Sequence, residues 1–181
     1  SFTVGGVIEE VSFADSVIEA SVREILGVDA DHVLFTNELW NITSFTVPEG
    51  AMNLQDIEKM PYLRSLTVSG QTFDTVSFLA SLSYLEELSL SDCRFPAEEM
   101  ELIAALPSLK ALTLTDCGIS TIAGLENAQN LEVLDLSNNT VRNLSPLTTL
   151  MRLKTLNLSH NAVTGLSDLS VLTNLEKLDI S

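Results

Sequence analysis

Apolar residues along this chain fall into a figure that repeats. Residues 131–152, LEVLDLSNNTVRNLSPLTTLMR, return almost in register as 153–174, LKTLNLSHNAVTGLSDLSVLTN, so that L-x-x-L-x-L-x-x-N-x-V-x-x-L-x-x-L-x-x-L restarts after 22 residues. Within one unit Leu134 and Leu136 alternate with Val133, Asp135 and Ser137, the period of a short strand with one face toward a core and one toward solvent. Asn139 follows where the chain turns away, and a side-chain amide there can satisfy backbone groups that no sheet ladder reaches. Val141, Leu144, Leu147, Leu150 and Leu153 then come at every third residue, which predicts 3₁₀ or extended turns rather than an α-helix. Such a unit cannot bury its apolar face alone and has to stack against neighbours, as the coils of a solenoid do.

The same ruler places coil starts at Ile42, Leu63, Leu85, Leu109, Leu131, Leu153 and Leu175, at spacings of 21, 22, 24, 22, 22 and 22 residues. The longest coil carries FPAEEMELIAAL. Pro96 suits a first helical turn, Glu98 and Glu99 favour its positive end, and Met100, Ile103, Ala104 and Leu106 can face inward, so one true α-helix is expected here. The last stretch, LEKLDIS, supplies only the strand of a seventh coil, and further repeats or another domain are expected to follow it in the natural protein.

Before the repeats, residues 1–14 read as a lead-in segment, either a strand or the remnant of a removed segment, and residues 15–41 as a helical cap. Ser16 with Glu19 three residues on forms a capping box, Val17, Ile18, Val22, Ile25 and Leu26 make an apolar stripe, and Gly27 ends the helix. A second, shorter helix is expected with Thr36 as its N-cap, running into the strand-like ITSFTV. The cap covers leucines and a strand edge that the first coil, residues 42 onward, would otherwise expose.

The repeat spacing resembles the leucine-rich repeat family, specifically the 22-residue type of bacterial internalin-like surface proteins and of some eukaryotic phosphatase regulators. The resemblance covers residues 42–181; at the Asn position it departs at Gly50, Gln71, Cys93 and Cys117 before Asn139 and Asn161 restore it. Residues 13–47 are similar to the helical cap of internalin-like proteins, which favours that branch. The resemblance implies an α/β fold: a right-handed horseshoe arc, a parallel sheet on its concave face, mostly 3₁₀ and extended turns on its convex side, and an α-helical N-terminal cap. It also implies a cell-surface or secreted location, with a cytoplasmic one as the alternative.

Composition narrows the chemistry. With 25 acidic against 9 basic residues and a net charge of −16, the surface repels phosphate backbones and anionic lipids, so no nucleic-acid partner is expected. No apolar run is long enough for membrane insertion. Cys93 and Cys117 occupy equivalent positions in adjacent coils; parallel side chains rarely meet the disulfide dihedral, and two buried free thiols are expected. His32 and His160 lie far apart in sequence, without H-E-x-x-H, C-x-x-C, G-x-S-x-G or a P-loop, so neither an enzyme nor a cofactor is expected. Asp92 and Asp116 share a column, but two carboxylates alone make a poor calcium site, and no metal is expected. Trp40 is assigned to core packing.

The register turns the outward side of the strands into columns. Arg64, Glu86, Lys110, Glu132, Lys154 and Glu176 alternate in sign and predict a ladder of exposed ion pairs. Three further columns line the expected concave face: Ser65, Glu87, Ala111, Val133, Thr155, Lys177; Thr67, Ser89, Thr113, Asp135, Asn157, Asp179; and the hydroxyl series Ser69, Ser91, Thr115, Ser137, Ser159, Ser181. Candidate partner-binding residues are Glu87, Ser89, Thr113, Asp135, Asn157, His160, Lys177 and Asp179, concentrated in the C-terminal half. The expected function is a non-enzymatic protein-binding module, a monomer that meets a protein partner along this face. An intracellular regulatory scaffold and a structural spacer are the alternatives.

Overall fold

The computed structural model describes residues 7–181. Helices α1 (Ser16–Leu26) and α2 (Thr36–Leu39) come first, and α3 (Met100–Ala104) lies in the third coil. Seven parallel strands form one sheet in chain order: β1 (Ser44–Thr46), β2 (Ser65–Ser69), β3 (Glu87–Ser91), β4 (Ala111–Thr115), β5 (Val133–Asp135), β6 (Thr155–Asn157) and β7 (Lys177–Asp179). Each strand meets the next at the equivalent repeat position. Leu66 lies opposite Leu88, and the row continues through Leu112, Leu134, Leu156 and Leu178.

The two extra residues of the third coil leave this register intact because the return limb absorbs them. There the chain makes a 3₁₀ turn, Ala97–Glu99, which runs into α3, and Met100, Ile103, Ala104 and Leu106 are buried as the pattern predicts. The other limbs are 3₁₀ segments: Leu54–Lys59, Ser77–Ser81, Leu125–Asn127, Ser145–Thr149 and Ser167–Val171. Their spacing of three puts one leucine per turn inward, as at Leu144, Leu147 and Leu150, all buried. Burying one such side chain stabilises the fold by about 1.5–3 kcal/mol. At the edge strand β7, which has a neighbour on one side only, Leu178 and Ile180 are 42% and 53% exposed.

The cap departs from expectation at its first residue. Asp15, not Ser16, is the N-cap of α1: its Oδ1 accepts the N–H groups of Val17 and Ile18 at 2.9 and 3.0 Å. Glu19 does not close a capping box but forms an ion pair with Arg23 one turn on, at 2.7 Å. A carboxylate serves better than the hydroxyl because its second oxygen is free to reach the first coil, where Oδ2 accepts from Met52 and Asn53 at 2.6 and 2.8 Å. The Asp15 N–H in turn donates to the buried carboxylate of Asp56, which also pairs with Lys59. One residue thus caps the helix and clasps it to the solenoid. Of the predicted stripe, Ile18 and Val22 are buried, whereas Ile25 is exposed. Gly27 ends the helix at φ +69°, as expected.

Thr36 is also reassigned. It is the first residue of α2, after Phe35, and its hydroxyl accepts from the Glu9 N–H and donates to the Val7 carbonyl. The lead-in chain is thereby tied against residues 34–36, with Val11 N–H donating to Leu34 and an antiparallel bridge between Glu10 and Phe35. The remainder of the lead-in segment, residues 1–6, lies outside the described residues. Glu38 accepts from the Phe35 N–H and pairs with His32 Nε2 at 2.7 Å, which gives the cap histidine a structural partner.

Candidate interaction surface

Strand register assembles two of the predicted columns residue for residue. Ser65, Glu87, Ala111, Val133, Thr155 and Lys177 are successive partners across β2 to β7, as are Thr67, Ser89, Thr113, Asp135, Asn157 and Asp179. Of the candidate residues, Ser89 and Thr113 are therefore direct neighbours, as are Asp135, Asn157 and Asp179 in sequence along the sheet. Glu87 lies four strands from Lys177 in the first column, so these eight residues form a broad face rather than one cluster.

Much of the polar chemistry in the C-terminal half is turned inward. Asp135 Oδ1 accepts from the Ser137 N–H at 2.8 Å, Asn157 Oδ1 from Ser159 N–H at 3.0 Å, and Asp179 Oδ1 from Ser181 N–H at 2.9 Å. Each is a short-range turn in which a side chain satisfies the amide two residues on, where the strand ends. Asn157 also donates to Asp135 Oδ2 at 3.0 Å, linking two coils. The Ser181 N–H, then its hydroxyl, and more weakly His160, hold the Asp179 carboxyl below the usual aspartate range, although burial opposes them. In the hydroxyl series, Ser137 and Ser159 prove buried rather than solvent-facing because these turns fold them against the neighbouring coil.

His160 sits at the next position, together with Gly70, Asp92, Asp116 and Asn138, all at φ between +51° and +67°. Each coil makes the same left-handed turn here, and Gly, Asn, Asp and His are the residues that tolerate it best. This column is a backbone requirement first. Arg94 lies 3.8 Å from Asp92 and 3.7 Å from Asp116, so a guanidinium already stands between those carboxylates. Among the described residues no three His, Cys, Asp or Glu side chains gather as a metal site.

One residue further, the Asn column holds the turn together. Asn139 Nδ2 donates to the carbonyls of Leu114, Leu136 and Ser137, and its Oδ1 accepts from Cys117 and Ile119 N–H at 3.0 and 2.9 Å. Cys93 and Cys117 fill the same position with a weaker donor: the Cys117 thiol faces the carbonyls of Leu90 and Thr115, each at 3.4 Å. Both cysteines are buried and unbridged. Burial pushes the Cys93 thiol up and the Cys117 thiol up to about 11, so neither is thiolate at neutral pH.

The charged ladder forms in part. Glu86 takes Arg64 on one oxygen at 2.5 Å and Lys110 on the other at 2.7 Å, and Lys154 meets Glu132 at 2.6 Å. The Lys110–Glu132 and Lys154–Glu176 steps are not within ion-pair distance, because each lysine has turned back to the preceding coil. Hydrogen bonding to its lysine is the main reason that the carboxyls of Glu86 and Glu132 are held below their usual range.

Beside this ladder lies a row that the column reading missed. Trp40 is half-buried rather than a core residue, and its ring meets Tyr62 edge-on at 6.3 Å; Tyr62 in turn meets Tyr84 at 5.4 Å. The chain's one tryptophan and both tyrosines thus stand in line just before the first strands. Later coils replace the rings with hydrogen bonds: Ser108 donates to the Ser83 carbonyl, Asn130 to Pro107 and Asn174 to Met151. Tyr62 and Tyr84 each stand just before a starting leucine, and reading that position as a further column would have found them, whereas Trp40 stands two residues before Ile42.

The family model described as Leucine Rich repeats (2 copies) matches residues 107–149 and 129–169. No curated protein matches the sequence. Among solved structures, an internalin (inlF) from Listeria monocytogenes is 27% identical with a TM-score of 0.80, covering 92% of this chain and 49% of that one. Internalin C2 from the same organism, 22% identical with a TM-score of 0.67, covers 96% of this chain and 100% of its own, a likeness of fold. A TLR13–ssRNA13 complex is 30% identical with a TM-score of 0.65 over 80% of this chain and 22% of that one. The chain spans about half the length of the first of these internalins. The repeat register, the helical cap and these matches together show leucine-rich repeats in a capped solenoid similar to that of the Listeria internalins.

Proposed function

We propose that the chain is a non-enzymatic protein-binding module of a bacterial cell-surface or secreted protein, and that its partner docks along the concave sheet face. The observation that carries this reading is the face itself: six coils in unbroken register present continuous outward columns from Ser65 to Lys177 and from Thr67 to Asp179. Solenoids use such extended surfaces for partners. The likeness to Listeria internalins supports the surface location. TLR13 occurs with single-stranded RNA, but a net charge of −16 opposes a polyanion here.

Ser89 and Thr113 suit the test better than Asp135, Asn157 or Asp179, whose side chains also hold strand-end amides. A photo-crosslinking residue placed at Thr113 on the intact protein in its own cells should capture one protein, and the same residue at the return-limb position Asp168 should not. Equal labelling from both positions, or none from Thr113, would sink the concave-face reading. The inward turns of Asp135 and Asn157 favour a spacer as the second reading, and it predicts that Ser89→Lys with Thr113→Lys leaves every cellular phenotype unchanged.

A further inference from the structure

The carboxylates of the sheet-face columns are Glu87, Asp135 and Asp179. Asp135 and Asp179 are engaged by strand-end amides. Glu87 is exposed and, among the described residues, accepts no hydrogen bond and has no ion pair; its neighbours Arg64 and Lys110 are both drawn to Glu86, one on each oxygen. Three residues before Glu87, at the end of the preceding coil, stands Tyr84, 50% exposed. Tyr62 packs against one side of it, while toward the next coil the row ends at the small Ser108, whose hydroxyl is tied to the Ser83 carbonyl. The phenol oxygens of Tyr62 and Tyr84 make no hydrogen bond among the described residues. An exposed aromatic ring backed by Tyr62 and a carboxylate without an intramolecular partner therefore stand three residues apart where the chain enters β3.

We propose that this corner, Tyr84 and Glu87 backed by Tyr62, anchors the interface and receives an arginine from a basic segment of a protein partner. The proposal rests on the protein-binding reading above and names the chemistry of its partner. Arginine fits on three grounds. Its planar guanidinium stacks on an aromatic ring and at the same time donates a fork of N–H groups to a carboxylate, which lysine cannot match. A net charge of −16 draws basic segments toward the whole molecule. Tyrosine and tryptophan are the residue types on which binding energy concentrates, and this row holds all that the chain has. The row also has a ready-made rigidity: Trp40 supports Tyr62 and Tyr62 supports Tyr84 from the cap across the first two coils, so little side-chain freedom is lost when a partner settles on the last ring.

The test is selection of a random dodecapeptide phage library on the whole chain, followed by anisotropy measurements with the selected peptides. The expected result is one enriched arginine. Its replacement by lysine or alanine should weaken binding, and Tyr84→Ala or Glu87→Gln should each cost about tenfold or more in affinity, as loss of a hot-spot contact does. Tyr84→Phe, which keeps the ring, should retain most of the affinity, and Glu87→Gln should flatten the salt dependence. Both positions are exposed, so all three variants should melt as the parent does. Peptides that bind without an arginine, or that ignore Tyr84→Ala and Glu87→Gln while losing affinity to Thr113→Lys, would overturn the corner and leave the protein-binding reading intact. Failure to enrich any peptide would count against both.

Discussion

Asp15→Ala should release the cap from the solenoid. The carboxylate makes four hydrogen bonds with backbone N–H groups, two within α1 and two to Met52 and Asn53 of the first coil, and it is 7% exposed. Loss of an N-cap side chain costs about 0.5–2 kcal/mol. Each charge-assisted bond to the coil adds about 1.5–3 kcal/mol, and removal of the acceptor leaves shielded amides unsatisfied. Because all four bonds share one side chain they do not add fully, and the expected total is about 3–5 kcal/mol. Against a total stability of roughly 5–15 kcal/mol that is a large fraction.

Urea denaturation should show it as a midpoint lowered by roughly 1–2 M. Hydrogen exchange should localise it: the amides of Val17, Ile18, Met52 and Asn53 lose protection together, while those of β5 and β6 change little. A loss below about 1 kcal/mol, the size of an ordinary cap alone, would refute the clasp. So would exchange that speeds up in α1 but not at Met52 and Asn53.

The same residue gives the acid limb a sign. Burial pushes the Asp15 carboxyl up, but the N–H groups of Met52, Asn53, Ile18 and Val17 together outweigh it and hold the carboxyl below its ordinary value. A folded-state pKa below the unfolded one means that the stabilisation is present in full above the unfolded value, about 3.9. It is lost as pH falls through the folded value. Stability measured from pH 6 downward should therefore fall less steeply in Asp15→Asn than in the parent.

Other expectations follow from single residues. Asn139→Ala removes three donated and two accepted bonds inside the turn; a cost of about 3–5 kcal/mol is expected in urea melts, and one under about 1 kcal/mol would mean that water replaces the amide. Gly124 has φ +100°, and an added Cβ would lie 3.0 Å from Glu101 Cγ and 3.2 Å from its backbone nitrogen. Gly124→Ala should therefore cost about 1–3 kcal/mol by calorimetry, with an unchanged melt refuting the close approach to α3. Cys93 and Cys117 should react with a thiol reagent at pH 8 only as fast as the protein unfolds, because both are buried and Cys117 titrates at about 11; fast labelling of the native protein would show that the coils open locally.

The sequence by itself determined the repeat. Because a strand face buries every second residue and a 3₁₀ turn every third, the spacing of leucines named the strands, the return limbs, the one coil with a helix and the register that lines up Thr113, Asp135, Asn157 and Asp179. It also placed Cys93 and Cys117 at the Asn position, since equivalence in a repeat is a matter of counting. What counting could not supply was which partner each polar side chain would choose. Asp15 displaced Ser16 as the cap because Met52 and Asn53, 37 and 38 residues away, need an acceptor there. Lys110 and Lys154 turned back to the preceding coil rather than spanning both neighbours. Asp135 and Asn157 became bound to strand-end amides, and Trp40 found Tyr62 and Tyr84 in a row outside the core. Period fixes which face a residue occupies, but several donors and acceptors of similar strength compete on that face, and only the assembled coils decide among them.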